Sequence, residues 1–112
     1  MQVLILKGFM PKDGEMETTK GGMSIFKFSV GVNDRRAGKD EDGNWKHTEW
    51  FNCKCFNKQA EFMAKHSQKG TDVFVQARLE TRSYEKDGTT RYFTEALVSS
   101  VEILGGWRDN ED

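Results

Sequence analysis

No apolar run in this chain of 112 residues approaches the roughly 18 residues that a membrane-spanning helix needs. The longest is Val3-Leu4-Ile5-Leu6, and the start Met1-Gln2-Val3 lacks the basic region and long apolar stretch of a secretory signal. The expectation is a small soluble protein that stays in the cytoplasm, bacterial or, for a phage-borne gene, that of the host. Cysteine is scarce, with Cys53 and Cys55 the only two. Two residues apart on a strand, they point to one face, where a bridge would be strained, so they read as reduced, buried thiols. A zinc site that added His47 and His66 would have four suitable donors. Neither half of the usual paired spacing occurs, however, and no metal or cofactor is expected. Catalytic patterns are missing as well. Neither histidine lies in a nucleophile or metalloprotease motif, and no glycine loop has phosphate-cradling spacing. Asp40 and Asp42 belong to a charge run typical of a solvated loop. These absences argue against an enzyme.

Charge of neither sign predominates: 17 basic residues face 18 acidic ones, a formal net charge of −1. Three of the acids fall in the terminal stretch Asp109-Asn110-Glu111-Asp112, and Asp40-Glu41-Asp42 form a second compact block beside Gly43. The remainder of the chain therefore holds more bases than acids, and a polyanionic ligand is compatible with the total. At this length one domain with a core of modest size is the natural organisation. The expected division is a domain over residues 1–105 and a short acidic C-terminal tail over 106–112.

What the chain has in quantity is period-two alternation, the mark of half-buried strands. In residues 24–33, Phe26, Phe28, Val30 and Val32 share one face, with Lys27, Ser29, Gly31 and Asn33 on the other. Residues 71–84 alternate in the same way, as do 47–56. Residues 91–104 are rich in β-branched and aromatic side chains and read as a strand interrupted near Ser99-Ser100, and 2–7 form a short first strand. Lys12-Asp13-Gly14 and Lys20-Gly21-Gly22 bracket a polar hairpin or loop, and Glu85-Lys86-Asp87-Gly88 carries the Asp-Gly signal of a tight hairpin turn. Residues 34–46 form a long polar excursion. One segment breaks the β pattern. Over 57–69, Ala60, Met63, Ala64 and Ser67 recur at helical spacing, with Asn57 as a candidate cap and Gly70 as a stop. Three strands, a helix, then two strands predict a mostly all-β chain, a five-stranded Greek-key OB-fold barrel with its helix between strands 3 and 4.

The strand over 47–56 is the informative one. Phe51, Cys53 and Cys55 suit a core, whereas Thr48, Trp50, Asn52, Lys54 and Phe56 put large aromatics beside a cation on the opposite face. The following strand repeats the idea with Phe74, Arg78, Arg82 and, past its end, Tyr84. Such strands suit a stacking platform, because unpaired bases expose π-faces and cations alongside can meet phosphates. Lys7, Arg35, Arg36, Lys58, Lys69 and Arg91 are further candidate phosphate contacts, and Trp45 is a candidate clamp or loop anchor. The same mixed face also fits a protein-binding surface, so composition and periodicity leave both open.

An ordered set of motifs narrows the choice. Val3-Leu4-Ile5-Leu6-Lys7-Gly8, Phe28-Ser29-Val30-Gly31-Val32-Asn33, Thr48-Glu49-Trp50, Cys55-Phe56-Asn57-Lys58-Gln59-Ala60-Glu61, Lys69-Gly70, Thr81-Arg82-Ser83-Tyr84 and Arg91-Tyr92-Phe93-Thr94-Glu95 fall in sequence. Together, over about residues 2–104, they resemble the bacterial-type single-stranded DNA-binding protein family. The resemblance implies an OB-fold homotetramer that wraps single-stranded DNA in replication, recombination and repair, with stacking at Trp50, Phe56 and Tyr84. It also implies three departures. Tyr84 stands where many members have tryptophan, Arg36 occupies an aromatic position, and Phe51 stands where many have histidine at a subunit contact. Members usually continue through a linker to an acidic, apolar-ended tip that recruits replication and repair proteins, and neither linker nor apolar end occurs here. The competing expectation is an OB-fold protein-interaction module of the primosomal accessory type.

Overall fold

A computed structural model of the chain describes residues 1–105, so the expected acidic tail over 106–112 lies outside the described residues. Strands β1 (Leu4–Phe9), β2 (Glu15–Thr18), β3 (Ser24–Asn33) and β4 (Thr48–Phe56) precede helix α1 (Asn57–His66). Strands β5 (Asp72–Lys86) and β6 (Thr89–Gly105) follow it. The sheet runs β1-β5-β6-β4-β3-β2, and an added pairing of Phe9 with Gly31 joins β1 back to β3 and closes a barrel. Every pairing is antiparallel except that of β4 with β6. The five expected strands and the helix between the third and fourth are present. The extra element, β2, is a short edge strand in the segment bracketed by Gly14 and Gly21. Among the described residues, no helix is long and apolar enough to cross a membrane.

The inner face of the barrel is built by the alternation read from the sequence. Phe26, Phe28 and Val30 of β3, Cys53 and Cys55 of β4, Val73, Val75 and Ala77 of β5, and Ala96 and Val98 of β6 are all buried. Helix α1 adds Ala60 and Met63, both fully buried in this core. The helix departs from expectation in three ways. Ala64 is exposed, so its buried stripe is narrower than the sequence pattern suggested. Phe56, not Asn57, is the capping residue and makes no side-chain cap bond, while Asn57 takes a left-handed φ of 55°. Asparagine tolerates that conformation better than most residues. The helix also ends at His66 rather than Lys69, where the Ser67 hydroxyl and amide both donate to the Met63 carbonyl.

The β5–β6 hairpin reverses at Asp87-Gly88, both at positive φ, which suits a two-residue turn between twisted strands. The irregularity expected near Ser99 is a bulge. Gln76 pairs with Ser100 but Ala77 with Val98, which leaves Ser99 as an extra residue, and a second shift nearer the strand end leaves out Leu104. The Ser99 hydroxyl donates to the Gln76 carbonyl at 3.1 Å, and the Gln59 amide donates to the Ser99 carbonyl at 2.8 Å, tying the bulge to the helix.

Candidate nucleic-acid interface

Register decides which side chains share the outer face. Gly31 lies beside Trp50, Ser29 beside Asn52, Lys27 beside Lys54 and Ile25 beside Phe56 across β3 and β4. Lys54 neighbours Leu97 of β6. On the β5–β6 hairpin, Arg78 then faces Leu97, Glu80 faces Glu95, Arg82 faces Phe93 and Tyr84 faces Arg91. Trp50, Phe56, Arg78, Arg82, Tyr84 and Arg91 thus lie on one continuous curved surface, although their segments are far apart in the chain. Along β4, Trp50 and Phe56 are separated by about 20 Å, at roughly 3.3 Å per residue.

Local packing holds the aromatic rings in place. Trp50 is 58% exposed, yet its ring meets the edge of Phe9 at 5.8 Å between centroids and 77° between planes. Both rings lie over Gly31, where a Cβ would come within 2.6 Å of the Trp50 ring and 2.9 Å of Phe9. Tyr84, 47% exposed on the hairpin arm, packs at 61° against Phe93 with centroids 5.9 Å apart. Phe56 is half-buried at the far end of β4. Phe9 and Phe93 are therefore part of the aromatic surface that sequence pattern missed. Phe9 had a signal, since it shares the outward parity of Ile5 and Lys7.

The cations divide into two groups. Lys54 departs from its expected role: it is only 7% exposed, and its ammonium lies 3.3 Å from the Glu95 carboxylate, itself largely buried. It stands at the centre of the face as half of a neutral pair rather than as an open phosphate contact. Lys27 pairs with Glu17 at 2.9 Å, and that hydrogen bond raises its pKa. Arg82 donates to Glu80 at 2.8 Å, which raises the arginine's pKa and lowers the carboxylate's. Both of those pairs are solvent-exposed, so a phosphate can displace the carboxylate at little cost. Among the described residues, neither Arg78 nor Arg91 forms an ion pair, although Arg78 is close enough to Glu80 to help lower its pKa. Lys7 is exposed on β1, and Arg35 and Arg36 are exposed in the loop after β3. Lys58 and Lys69 are exposed on α1 and the turn beyond it. Phe51 points inward from β4, half-buried against the core.

The sulfur and imidazole groups considered as metal donors are dispersed. Burial first, with Cys55 second, pushes the Cys53 thiol up to about 12, and burial does the same to Cys55. His47 contacts the Glu49 carboxylate, and His66 packs on Phe62.

A closed barrel of this strand order, with its helix between β4 and β5 and aromatics interleaved with cations on the outer sheet, is an OB-fold. The chain belongs to the single-strand binding protein family, whose profile matches residues 1–104. It is 37% identical over 105 residues to the single-stranded DNA-binding protein of Bacillus cereus, covering 93% of this chain and 60% of that protein. A second relative, single-stranded DNA-binding protein 1 of Staphylococcus aureus, is 34% identical over 108 residues, or 96% of this chain and 67% of the relative. Among solved structures, a deletion mutant of the single-stranded DNA binding protein from Thermus aquaticus superposes with a TM-score of 0.75 at 27% identity. That match covers 93% of this chain and 50% of the other. The chain spans about 60% of the length of the Bacillus relatives it matches.

Proposed function

We propose that this chain binds single-stranded DNA without strong sequence preference and shields it during replication, recombination and repair. The observation that carries the proposal is the register that lines up Trp50, Phe56 and Tyr84 on one outer face with Arg78, Arg82 and Arg91 between and beside them. Bases stack on the rings, and these arginines meet the phosphates, with Lys7, Arg35, Arg36, Lys58 and Lys69 as outlying contacts. The family, described as single-strand binding, and its relatives, whose names specify single-stranded DNA, support the same ligand. We propose also that the working form is a homo-oligomer, a tetramer by family resemblance, in the cytoplasm. Supporting assembly, β1 pairs on its second edge only at Phe9, and Val3 and Ile5 on its outer side are 60% and 54% exposed. Phe51 is a second candidate subunit contact.

Titration with oligothymidine, followed by tryptophan fluorescence and beside a duplex control, tests the ligand. The native chain is expected to be quenched by the single strand and to respond little to duplex. Trp50→Ala combined with Phe56→Ala should weaken binding by about 2–6 kcal/mol, the loss of two stacked bases. Unchanged affinity in a folded double variant would overturn the stacking model. Absence of binding by the native chain would favour a protein-interaction module.

A further inference from the structure

A groove of about 350 Å³ lies over the seam where β1 meets β3, beyond the edge of the Trp50 platform. Its size falls at the lower end of ordinary small-ligand clefts, roughly 300–1,000 Å³. Gly8 and Gly31 line it without side chains, and Phe9, Trp45, Lys7 and Arg35 contribute the aromatic and cationic lining. The two glycines cannot be replaced freely: a Cβ on Gly8 would lie 2.2 Å from the Gly31 carbonyl oxygen, and one on Gly31 would strike both aromatic rings. Asp72 also lines the groove, setting one carboxylate against two cations.

Trp45 reaches this seam because its loop is folded, not extended. The Asp34 amide donates to the His47 carbonyl, Lys46 to Gly38 and Asp40 to Asn44, and Lys39 pairs with Trp45 in an isolated bridge. The Lys39 ammonium sits 4.8 Å from the centre of the Trp45 ring, and Lys39 itself is outside the groove lining. Phe9 is shared between the two places, lining the groove and meeting the edge of Trp50. A strand whose base stacks on Trp50 therefore has a continuous aromatic path across the seam.

We infer that this groove is a second nucleotide subsite, in which Trp45 and Phe9 take a base of the strand leaving Trp50 while Lys7 and Arg35 meet its phosphates. The inference rests on the proposed DNA binding and adds a path for the strand off the β4–β5–β6 face. It is tested with a chain carrying Trp50→Phe and Trp107→Phe, which leaves Trp45 as the sole indole. Oligothymidine should quench Trp45 emission in that chain. In an otherwise native chain, Trp45→Ala should lower affinity about 5- to 100-fold with the fold intact by circular dichroism. Lys7→Ala with Arg35→Ala should make the dependence of log affinity on log salt shallower by up to about 1.4. Silent Trp45 emission at concentrations where the chain is saturated would overturn the subsite and leave the Trp50 platform standing. Quenching without any loss of affinity in Trp45→Ala would overturn it too. If the native chain fails to bind oligothymidine at all, the platform and the subsite fall together.

Discussion

Single residues on the outer face divide into those that present a surface and those that make room for it. Gly31 belongs to the second kind. A methyl group there meets the ends of the Trp50 and Phe9 rings, which can tilt away, whereas a methyl on Gly8 meets backbone. Gly31→Ala should therefore cost about 1–3 kcal/mol of stability and weaken oligothymidine binding by displacing Trp50. Gly8→Ala should be the more destabilising of the two because the β1–β3 seam must open. Thermal unfolding and titration of both variants check the order. The sequence made Trp50 and Tyr84 legible, because an aromatic alternating with polar residues on a strand has no place in a core. It could not show Phe9 supporting Trp50, since that contact exists only where distant strands close the barrel.

Among elements, β4 and β6 meet over a short stretch. They are parallel partners only at Cys53–Ala96 and Lys54–Leu97, and the Lys54–Glu95 pair lies directly beside that contact. Removing one charge strands the other in a largely dry setting. Lys54→Met should thus destabilise the chain by about 3–5 kcal/mol, while Lys54→Met with Glu95→Leu should recover most of it. Denaturant midpoints of the single and double variants decide this. Here strand parity misled the sequence argument. Parity sends Lys54 outward, as it does Trp50, but β6 crosses beside it and supplies a carboxylate that no local pattern announces. The strands themselves were readable from alternation, and the hairpin from Asp87-Gly88. The helix cap was not, because Asn57 is used for its tolerance of positive φ rather than for its side-chain oxygen.

For the molecule as a whole, the two thiols set an upper limit on the pH range of the fold. In the unfolded chain they ionise near 9.0, while in the barrel they keep their protons until about 12. Between those values the unfolded state binds fewer protons. The stability held by the neutral thiols is complete below pH 9 and falls as pH rises toward 12. Each thiol should contribute a loss of about 1.4 kcal/mol by pH 10. Chemical denaturation at pH 7, 9 and 10 should show the decline, and a Cys53→Ala/Cys55→Ala chain should be less stable at pH 7 but flatter across that range. A thiol reagent should leave both cysteines unmodified in the native chain and label both once it unfolds.

The closed Lys54–Glu95 pair has a further effect on how a bound strand would lie. The middle of the face, between Trp50 and Phe56, holds cations that are already paired, Lys54 with Glu95 and Lys27 with Glu17, while Arg78 and Arg91 stand on the β5–β6 side. A strand would settle with its heterocycles turned down onto β4 and its sugar–phosphate chain turned outward toward the arginines. Oxidants that attack the 5,6 bond of thymine, such as permanganate, should then be excluded from the covered bases. Hydroxyl radicals cutting at the sugars should still find much of the backbone within reach. Equal protection of both would mean that the strand lies on its side, with the neutral patch under its phosphates.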